Sequence, residues 1–537
     1  MNTPIYTKLM QLKNEKRVPF HMPGHKRRGN GVFKEIEKMD ITEITDYDNL
    51  HHPEGIIRES MDKLKQIYGT RESWYLVNGS TVGILAAISA CCEQGDGILI
   101  ARNCHKSVYN AIRLLHLEAH YFYPDLSKKY DLIENISERQ MEDIRNTLAI
   151  NKNIRAVVLP SPTYEGVVMD IARLKKITEE YDVILIVDEA HGAHFPFHEY
   201  FPESAIHCGG DIVIQSTHKT LPAMTQTALL HLCTDKITPE AISDMLSVYE
   251  SSSPSYILMA SAEYSAAFMK ENVDEVQAYV DNLQNFREKC EQLHFIHLIN
   301  KEDLCCQDYD RSKLVFSVKE AGWNGITLFE KLFHDYHIEL EMADNFNCIA
   351  MTSVCDSREM YEQLFDALKE IDEEIAEQRA GIAERAAWDD KYTLQEREGL
   401  TSRRKFVEKR QDFQDSRRCK FMEEDQETRR WAAWEKDYKC RQSESEKKNQ
   451  QSCHWDSVEK ELESWQCRHL EKELLALDDA AGRIAGDYVM LYPPGIPLLV
   501  PGEKILKETV ENLRYYIYNG YNVLGLYGDN IPVLKNR

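Results

Sequence analysis

Reactive side chains follow several short apolar runs of this 537-residue sequence. Ser80 and Thr81 come shortly after SWYLV, and His105 comes four residues after GILIA. Asp188 follows VILIV directly, and Lys219 comes four residues after DIVIQ. Hydroxyls and free N–H groups at a helix start bind phosphate, and a lysine amine can attack a carbonyl carbon. These residue types therefore favour carbonyl chemistry on a phosphorylated compound.

The apolar runs indicate β-strands separated by helices. We expect strands at 73–77, 97–101, 155–159, 183–187 and 211–215, a buried helix at 82–92 and an amphipathic helix at 171–181. Continuous apolar strands that alternate with helices are typical of a mostly parallel sheet covered on both faces. Because ligands bind beyond the carboxyl ends of such strands, we expect the reactive side chains to meet at one edge of the sheet.

Each reactive residue also has a purely structural explanation. A hydroxyl at a helix start is more often an N-cap, and a strand-end Asp usually caps a turn. A single His or Lys is mostly packed or solvated. Convergence at one edge favours a shared role, because together the residues meet the needs of pyridoxal 5′-phosphate. Its phosphate needs hydroxyl groups, and its ring needs a flat partner to stack on. Its pyridine nitrogen needs a carboxylate, and its aldehyde needs an amine.

The stretches that carry these residues resemble a known class of enzymes. QSTHKTLPAMTQTALLHL (215–232), DEAHGAHF (188–195) and NGSTVG (78–83) are similar to the fold-type-I pyridoxal-phosphate enzymes. Three further stretches narrow the resemblance to the short bacterial form of the Orn/Lys/Arg decarboxylases, namely PFHMPGHKRRGNG (19–31), DNLHHPEGII (48–57) and YPPGIPLLVPGE (492–503). The resemblance covers most of the chain, about 1–375 and 475–537.

The resemblance implies a role for each residue by position. Lys219 would form a Schiff base with the cofactor aldehyde, and Asp188 would pair with the pyridinium nitrogen. His105 would stack on one face of the ring, and Ala190 would touch the other face. The residues that would hold the phosphate are Ser80, Thr81, Ser216 and His218.

The resemblance also implies decarboxylation at an interface between subunits. Lys219 or His218 would return a proton to Cα, so the expected catalytic residues are Lys219, Asp188, His105 and His218. We expect a homo-oligomer in which the segment 251–254 (SSSP) reaches the phosphate of the neighbouring subunit.

Three acidic residues lie in stretches that resemble family signatures, and their roles stay open. They are Glu341, Asp344 and Glu503. Surface or inter-domain pairing explains each of them as well as a catalytic role does.

The predicted fold is α/β, with a large domain of the fold-type-I (aspartate aminotransferase-like) kind and a mainly parallel sheet. A smaller α+β C-terminal domain and a charged, helical insertion complete it. The predicted parts are an N-terminal arm (1–45), the large cofactor-binding domain (46–260), the small domain (261–378), the insertion (379–471) and the last part of the C-terminal domain (472–537). The insertion matches nothing in the family, so a partner-binding arm, an oligomerisation element and dispensable sequence are all open.

Composition excludes several other classes of function. Lys+Arg 65 against Asp+Glu 89 gives a formal net charge of −24, which disfavours nucleic-acid binding. No apolar run reaches the roughly 18 residues that span a bilayer, and no signal peptide is visible, so we expect a cytoplasmic protein without a membrane partner. The 14 Cys residues are scattered, as expected of reduced thiols.

Two groups of potential metal ligands do not predict a metal site. His21 and His25 lie four residues apart but have no third ligand at a suitable spacing. Cys453, His454 and the pair Cys467/His469 fit no standard zinc spacing. We therefore expect no bound metal.

The predicted function is decarboxylation of arginine, lysine or ornithine to CO2 and agmatine, cadaverine or putrescine, as in polyamine metabolism. An aminotransferase or Cα–Cβ lyase with the same cofactor is the alternative, because Lys219 and Asp188 alone do not separate these reactions. A non-catalytic binding protein on the same scaffold is a third hypothesis, which the intact Lys219 and Asp188 disfavour. The sequence supports arginine and lysine almost equally as the preferred substrate.

Overall fold

The computed structural model describes most of the chain. It covers residues 1–15, 17–29, 31–127, 129–398, 460–491, 495–518 and 521–535. Two compact units are present, one formed by Met1–Asp372 with Ser457–Arg537 and the other by Glu373–Asp456. Much of the predicted insertion, including Cys453 and His454, lies outside the described residues, and the predicted domain boundaries stay a prediction.

Helices and strands alternate through the first half of the chain. The described α-helices are α1 (Pro4–Asn14), α2 (Lys34–Glu37), α3 (Ile56–Tyr68), α4 (Gly79–Cys91), α5 (Lys106–Leu115), α6 (Glu138–Ile150), α7 (Ile171–Glu180), α8 (Ala205–Cys208), α9 (Thr217–Thr220), α10 (Pro239–Tyr249), α11 (Tyr256–Glu271), α12 (Val273–Cys290), α13 (Gly325–Tyr336), α14 (Arg358–Glu398) and α15 (Lys507–Tyr518). No described helix is long and apolar enough to cross a membrane.

The strands are short, as is usual in α/β proteins. Those described are β1 (Glu72–Leu76), β2 (Gly97–Ala101), β3 (Glu118–Phe122), β4 (Ile154–Pro160), β5 (Val167–Val168), β6 (Ile184–Asp188), β7 (Ile212–Gln215), β8 (Ala228–Leu232), β9 (His297–Leu298), β10 (Asp308–Tyr309), β11 (Lys313–Ser317), β12 (Met342–Ala343), β13 (Asn347–Met351), β14 (Lys472–Ala476), β15 (Val489–Leu491), β16 (Ile496–Leu499), β17 (Val523–Leu524) and β18 (Asn530–Leu534).

The central sheet has seven strands in the order β1-β8-β7-β6-β4-β2-β3. Strands β3, β2, β4, β6 and β7 are parallel, whereas β8 is antiparallel to both of its neighbours. Strand β1 therefore runs in the same direction as the parallel strands. The predicted α/β class with a mainly parallel sheet is confirmed, and each of the five predicted strands is found within one residue at either end. The other two strands of this sheet, β3 and β8, were not predicted.

Helix α4 packs closely onto this sheet because the residue at the contact is a glycine, which has no side chain. A Cβ on Gly83 would lie 2.5 Å from Cδ1 of Leu76 and 3.1 Å from Cγ2 of Ile214. Since a larger residue would push the helix away from β1 and β7, Gly83 fixes where the N-terminus of α4 lies relative to the ends of these strands.

A smaller antiparallel sheet, in the order β12-β13-β11-β9, follows in the chain. Strand β10, which leads into β11, pairs with β5, which follows β4 of the central sheet. Gly166 precedes β5 with a φ of +105°, and a Cβ there would lie 2.9 Å from Cγ of Lys313. The glycine therefore allows the first residue of β11 to approach the large sheet closely.

A buried ion pair attaches the C-terminal segment to the end of β2. Arg102 and Glu503 are 1% and 2% exposed, and Nη2 of Arg102 lies 3.2 Å from Oε2 of Glu503. Arg102 also donates to the carbonyl oxygen of Pro497 (2.7 Å), and the same Glu503 oxygen accepts from the N–H of Val500 (2.8 Å). Burial raises the pKa of the Glu503 carboxyl, and the Arg102 charge opposes that rise. Glu503 therefore has a structural role.

We expect Glu503→Ala to destabilise the protein by about 3–5 kcal/mol, because it leaves the guanidinium of Arg102 buried without its counter-charge. Urea unfolding monitored by fluorescence would measure the change. The control is Asp478→Asn, which removes a 73% exposed partner of Arg514 and should cost at most about 1 kcal/mol. Equal stability of the two variants would contradict the structural role of Glu503.

Candidate active site

The predicted reactive residues lie at one edge of the central sheet. Asp188 is the last residue of β6, and Lys219 lies on the short helix α9 that follows the adjacent strand β7. His105 follows β2, and Ser80 lies in the first turn of α4, which follows β1. Because all four strands run in the same direction, their carboxyl ends bring these residues to the same side.

Asp188 is a buried carboxylate whose backbone position is fixed by the sheet. It is 7% exposed, and its Oδ1 accepts from the N–H of Ala190 (3.2 Å). Burial raises the pKa of Asp188, whereas the positive charges of Lys219 and His105 lower it. The carboxylate is therefore placed to stabilise a cation in the site.

Its sequence neighbour Glu189 has a different, structural role. Its carboxylate accepts from the hydroxyl of Ser204 (2.7 Å), the N–H of Ala205 (2.7 Å) and the side chain of Gln215 (2.6 Å). Burial raises the pKa of Glu189 to about 7. These bonds tie β6 to β7 and to the start of α8, so of the two carboxylates Asp188 is the one available to a ligand.

Lys219 has the environment of a nucleophilic amine. Its side chain is half-buried, and desolvation lowers its pKa, with Asp188 and Glu341 opposing. Its Nζ lies 2.9 Å from Nε2 of His191. A lowered lysine pKa increases the fraction of neutral amine, which is the form that attacks an aldehyde.

The ring of His105 is held in place by its own helix. His105 is the N-cap of α5, and its Nδ1 accepts from the N–H of Ser107 (3.2 Å). The side chain is accessible to solvent, and desolvation by the surrounding protein nevertheless lowers the pKa of the ring. A fixed and accessible aromatic ring is a suitable stacking partner for a flat ligand.

The first turn of α4 and the start of α9 provide donors for an anion. Asn78, at the N-cap of α4, does not cap the helix with its side chain, so the N–H groups of Ser80 and Thr81 in the first turn have no side-chain cap, whereas the N–H of Gly79 donates to the carbonyl oxygen of Gln226 (2.9 Å). The hydroxyl of Ser216 is buried without a hydrogen-bond partner among the described residues. An orphaned buried hydroxyl beside an uncapped helix start fits a phosphate group.

The remaining predicted contacts are also near these strand ends. Ala190 is 5% exposed and follows Asp188 by two residues. His218 is adjacent to Lys219, and its Nδ1 lies 2.8 Å from the carbonyl oxygen of Thr227, which fixes the ring. The residues present therefore fit pyridoxal phosphate, with an anion site, a stacking surface, a carboxylate and an amine at one sheet edge.

Two residues that the sequence did not single out belong to the site. His191 is 8% exposed, and its Nδ1 lies 3.0 Å from Nζ of Lys313, which is 1% exposed at the start of β11. Desolvation lowers the pKa of Lys313 to about 8. His191 lies within the family-like stretch DEAHGAHF, and the sequence signal for Lys313 was its place at the start of the apolar run KLVFSV.

The acidic residues of the family-like stretches separate into different roles. Asp344 accepts from the N–H groups of Phe346 (2.8 Å) and Asn347 (2.7 Å), and burial raises its pKa to about 6. It therefore shapes the turn between β12 and β13. Glu341 is exposed, accepts from the hydroxyl of Tyr164 and acts electrostatically on Lys219. Of Glu341, Asp344 and Glu503, only Glu341 faces the site.

Other predicted features lie elsewhere on the surface. Ser251, Ser252 and Ser253 are exposed after α10, and the carbonyl oxygen of Ser251 lies 2.9 Å from Nε2 of His51. Nε2 of His25 lies 3.1 Å from Asp40. Among the described residues, no three His, Cys, Asp or Glu side chains are placed to hold a metal ion.

Two family models match this chain. The model described as Orn/Lys/Arg decarboxylase, major domain, matches residues 3–358, and the one described as Orn/Lys/Arg decarboxylase, C-terminal domain, matches residues 458–519. Together they cover the site, the small sheet and the segment that contains Glu503.

Two curated relatives match over nearly the whole length, and a third matches about half of this chain. An uncharacterized protein of Bacillus subtilis, YaaO, is 30% identical over 534 residues, which is 98% of this chain and 96% of the relative. An arginine decarboxylase of the same organism is 27% identical over 529 residues, covering 96% of this chain and 93% of the relative. An inducible lysine decarboxylase of Escherichia coli is 22% identical over 54% of this chain and 44% of its own length.

Solved structures share the fold. The constitutive lysine decarboxylase of E. coli superposes with a TM-score of 0.76 at 20% identity, covering 99% of this chain and 82% of that one. Lysine decarboxylase A of Pseudomonas aeruginosa gives 0.76 at 18% identity, covering 99% and 80%.

Ser216→Ala should separate ligand binding from folding. Because the hydroxyl has no hydrogen-bond partner in the described part of the chain, the thermal midpoint of the cofactor-free variant should not fall. The dissociation constant for pyridoxal phosphate should rise about tenfold or more, as for loss of a hydrogen bond to a charged group. Absorbance titration would measure it.

The matched control is Thr217→Val at the next position. Thr217 is also buried, but its hydroxyl donates to Oγ1 of Thr227 (2.7 Å). This variant should lower the thermal midpoint of the cofactor-free protein. An unchanged affinity for pyridoxal phosphate in Ser216→Ala would exclude Ser216 from the phosphate site.

Proposed function

This chain belongs to the Orn/Lys/Arg decarboxylase family and is therefore a pyridoxal-phosphate-dependent decarboxylase, and from this we propose that it converts a basic amino acid to CO2 and the corresponding amine. One observation carries the proposal: the buried carboxylate of Asp188 and the half-buried amine of Lys219 follow adjacent parallel strands and act electrostatically on each other.

We propose arginine as the preferred substrate, with lysine and ornithine as the alternatives to be tested beside it. Three of the relatives named arginine decarboxylase match at least 96% of this chain, at 25–27% identity. The relatives named lysine decarboxylase match only 54% of it, at 22% identity. Full-length similarity therefore supports arginine over lysine.

The site residues would hold the cofactor as follows. Lys219 would hold the aldehyde carbon, Asp188 the pyridine nitrogen, and His105 and Ala190 the two faces of the ring. The phosphate would be held by Ser80, Thr81, Ser216 and His218. When bound, pyridoxal phosphate supplies an electron sink for the electron pair that is left on Cα when CO2 departs.

The protein residues supply charge, orientation and protons. The buried Asp188 carboxylate favours a protonated pyridine nitrogen, because an opposite charge in a poorly solvated site stabilises the cation. The rigid His105 ring restricts the orientation of a ligand stacked on it. Lys219, or the adjacent His218, is placed to deliver a proton to Cα after the carboxylate has left.

We propose that Glu341 favours substrates with a cationic side chain. Its exposed carboxylate lies close enough to Lys219 and Lys313 to raise the pKa of both amines. A carboxylate at this place would attract the distal charge of arginine or lysine. The bond from the hydroxyl of Tyr164 fixes its orientation.

We further propose that the working enzyme is a homo-oligomer. The segment 251–254 is the candidate for reaching the phosphate site of a neighbouring subunit. Its three serines are exposed, and their hydroxyls are suited to a phosphate.

The reaction can be tested directly. We expect the protein loaded with pyridoxal phosphate to release CO2 from arginine without any oxo-acid acceptor, and mass spectrometry to identify agmatine. Lysine and ornithine would be offered in parallel. Lys219→Ala should lose the visible absorbance of the bound cofactor and at least about a thousandfold in kcat, because no other amine takes its place. Transfer of the amino group to an oxo acid, with no CO2, would favour the aminotransferase alternative.

Glu341→Gln should raise the KM for arginine about tenfold and change kcat by less than about twofold, since it removes one charge interaction with the substrate side chain. Glu339→Gln, which changes an exposed residue two positions earlier, is the control and should behave as the unmodified enzyme. A KM unaffected by Glu341→Gln would exclude this residue from substrate recognition.

A further inference from the structure

His191 bridges two lysines that come from distant parts of the chain. Nε2 of His191 lies 2.9 Å from Nζ of Lys219, and Nδ1 lies 3.0 Å from Nζ of Lys313. Lys219 is on α9 beside the central sheet, whereas Lys313 opens β11 of the small sheet. His191 and Lys313 are 8% and 1% exposed, so bulk water does not separate the three side chains.

The chemistry of imidazole limits how protons can be arranged in this array. A neutral ring has one N–H donor and one nitrogen lone pair. An ammonium group can only donate, so the two lysines cannot both donate to the ring as ammonium ions. When one lysine is an ammonium ion bonded to the ring, the other must be a neutral amine that accepts from the ring N–H. His191 therefore makes the two amines share one proton.

The surroundings of the ring keep it neutral. The basic groups that face it are Lys313, Lys219, His105 and His218, and together with desolvation they hold the pKa of His191 well below its usual range. The addition of a further proton to the array of His191 and the two lysines is therefore disfavoured. The ring nonetheless has two neutral tautomers, one for each position of the shared proton.

Acidic groups around Lys313 favour the shared proton on that side. The carboxylates of Asp310, Glu341 and Glu165 raise the pKa of Lys313, and its Nζ lies 5.9 Å from the centroid of the Tyr164 ring, within the range of a cation–π contact. The charge of Lys219 and desolvation act in the opposite direction. On the other side, Asp188 and Glu341 favour a charged Lys219.

We propose that Lys313 is the proton reserve of Lys219 and exchanges one proton with it through a change of tautomer of His191. In one direction an N–H bond of the Lys219 ammonium breaks as Nε2–H forms, while Nδ1–H breaks as an N–H bond forms on the neutral Lys313 amine. The ring double bonds shift accordingly. The total charge and the number of protons are unchanged, and no co-reactant is needed.

The proposed function requires Lys219 in a neutral and in a protonated state, and this exchange provides both. The catalytic meaning of the inference rests on that proposed function. A neutral amine is needed to react with an aldehyde, and a protonated one is needed to return a proton to Cα. Lys313 lies behind His191 rather than at the strand ends, so it is a positioning residue that acts through His191 and Lys219.

The test measures Lys219 in the cofactor-free protein, where catalysis plays no part. Lys219 would be labelled with trace acetic anhydride over a range of pH, and the labelled fraction at this residue would be read by mass spectrometry. Lys313→Met should raise the pH midpoint of labelling by about one to two units, because it removes a positive charge and frees Nδ1 of His191 from accepting. Lys301→Met, a partly exposed lysine paired with Asp308, is the control and should leave the midpoint unchanged. An unchanged midpoint in Lys313→Met would overturn the inference.

Lys313→Arg separates proton exchange from simple charge. Arginine keeps the positive charge but does not give up its proton, so the labelling midpoint should stay within about half a unit of the original protein. Because the array can then no longer exchange its proton, kcat of the loaded enzyme should fall at least about tenfold. A kcat equal to that of the original protein would show that Lys313 acts only through its charge, which would overturn the proton exchange.

Failure of the inference can be distinguished from failure of the proposed function. If no basic amino acid yields an amine, the proposed function fails, while the labelling curves still decide whether Lys313 is coupled to Lys219. If the amine forms and the curves of Lys313→Met and the original protein coincide, only the coupling fails. Thermal midpoints of every variant would confirm that each one is folded.

Discussion

The electrostatic balance between Asp188 and Lys219 is the constraint on which the rest of this structure depends. Desolvation shifts the pKa of each side chain toward its neutral form, and the charge of the other opposes that shift. Asp188 ends β6 and Lys219 lies on the short helix that follows the adjacent parallel strand β7, and the ladder places Asp188 beside Ile214, shortly before that helix. Sheet register, helix packing and the small sheet all serve to keep this pair in place.

The small sheet contributes more to the site than structural cover. The pairing of β10 with β5 carries Lys313 to the back of His191, and the close approach at Gly166 permits it. The segment before β12 places Glu341 on the solvent-exposed side of the site. The charges that surround Lys219 therefore come from both sheets. A site built in this way depends on the packing between the sheets, even though its predicted catalytic residues all come from the large sheet.

The C-terminal segment is attached by a second buried charge pair. Arg102 lies one residue beyond β2 and three residues before His105, so the bonds that it makes to Pro497 and Glu503 also restrain the loop that presents the His105 ring. A buried ion pair is seldom a large net source of stability. Here its value is positional, because it fixes a distant part of the chain against one particular strand end.

Local pattern was sufficient for much of the fold and for the predicted site. Apolar runs of five residues located five of the seven strands of the central sheet, because a strand buried on both faces has few alternatives to Val, Ile and Leu. Since parallel strands end at one edge, the residues after those runs had to converge, and Asp188, Lys219, His105 and Ser80 do so. Strand β8 was not predicted, although its run ALLHL is apolar and His231 is its one polar residue. In the folded protein that ring is buried and lies 2.8 Å from the hydroxyl of Ser73, a contact between strands β8 and β1.

Tertiary structure alone decided which of the remaining polar residues belong together. Lys313 is separated from His191 by 122 positions, and no local pattern reports a contact over that distance. No local pattern reports the contact between Glu503 and Arg102 either. Nor does a local pattern show that Glu341 faces the site whereas Asp344 and Glu503 do not. The sequence determined the residue types and the strand ends, since those depend on local burial and periodicity. Pairing between distant side chains depends on how the two sheets and the C-terminal segment pack, and that is a property of the whole fold.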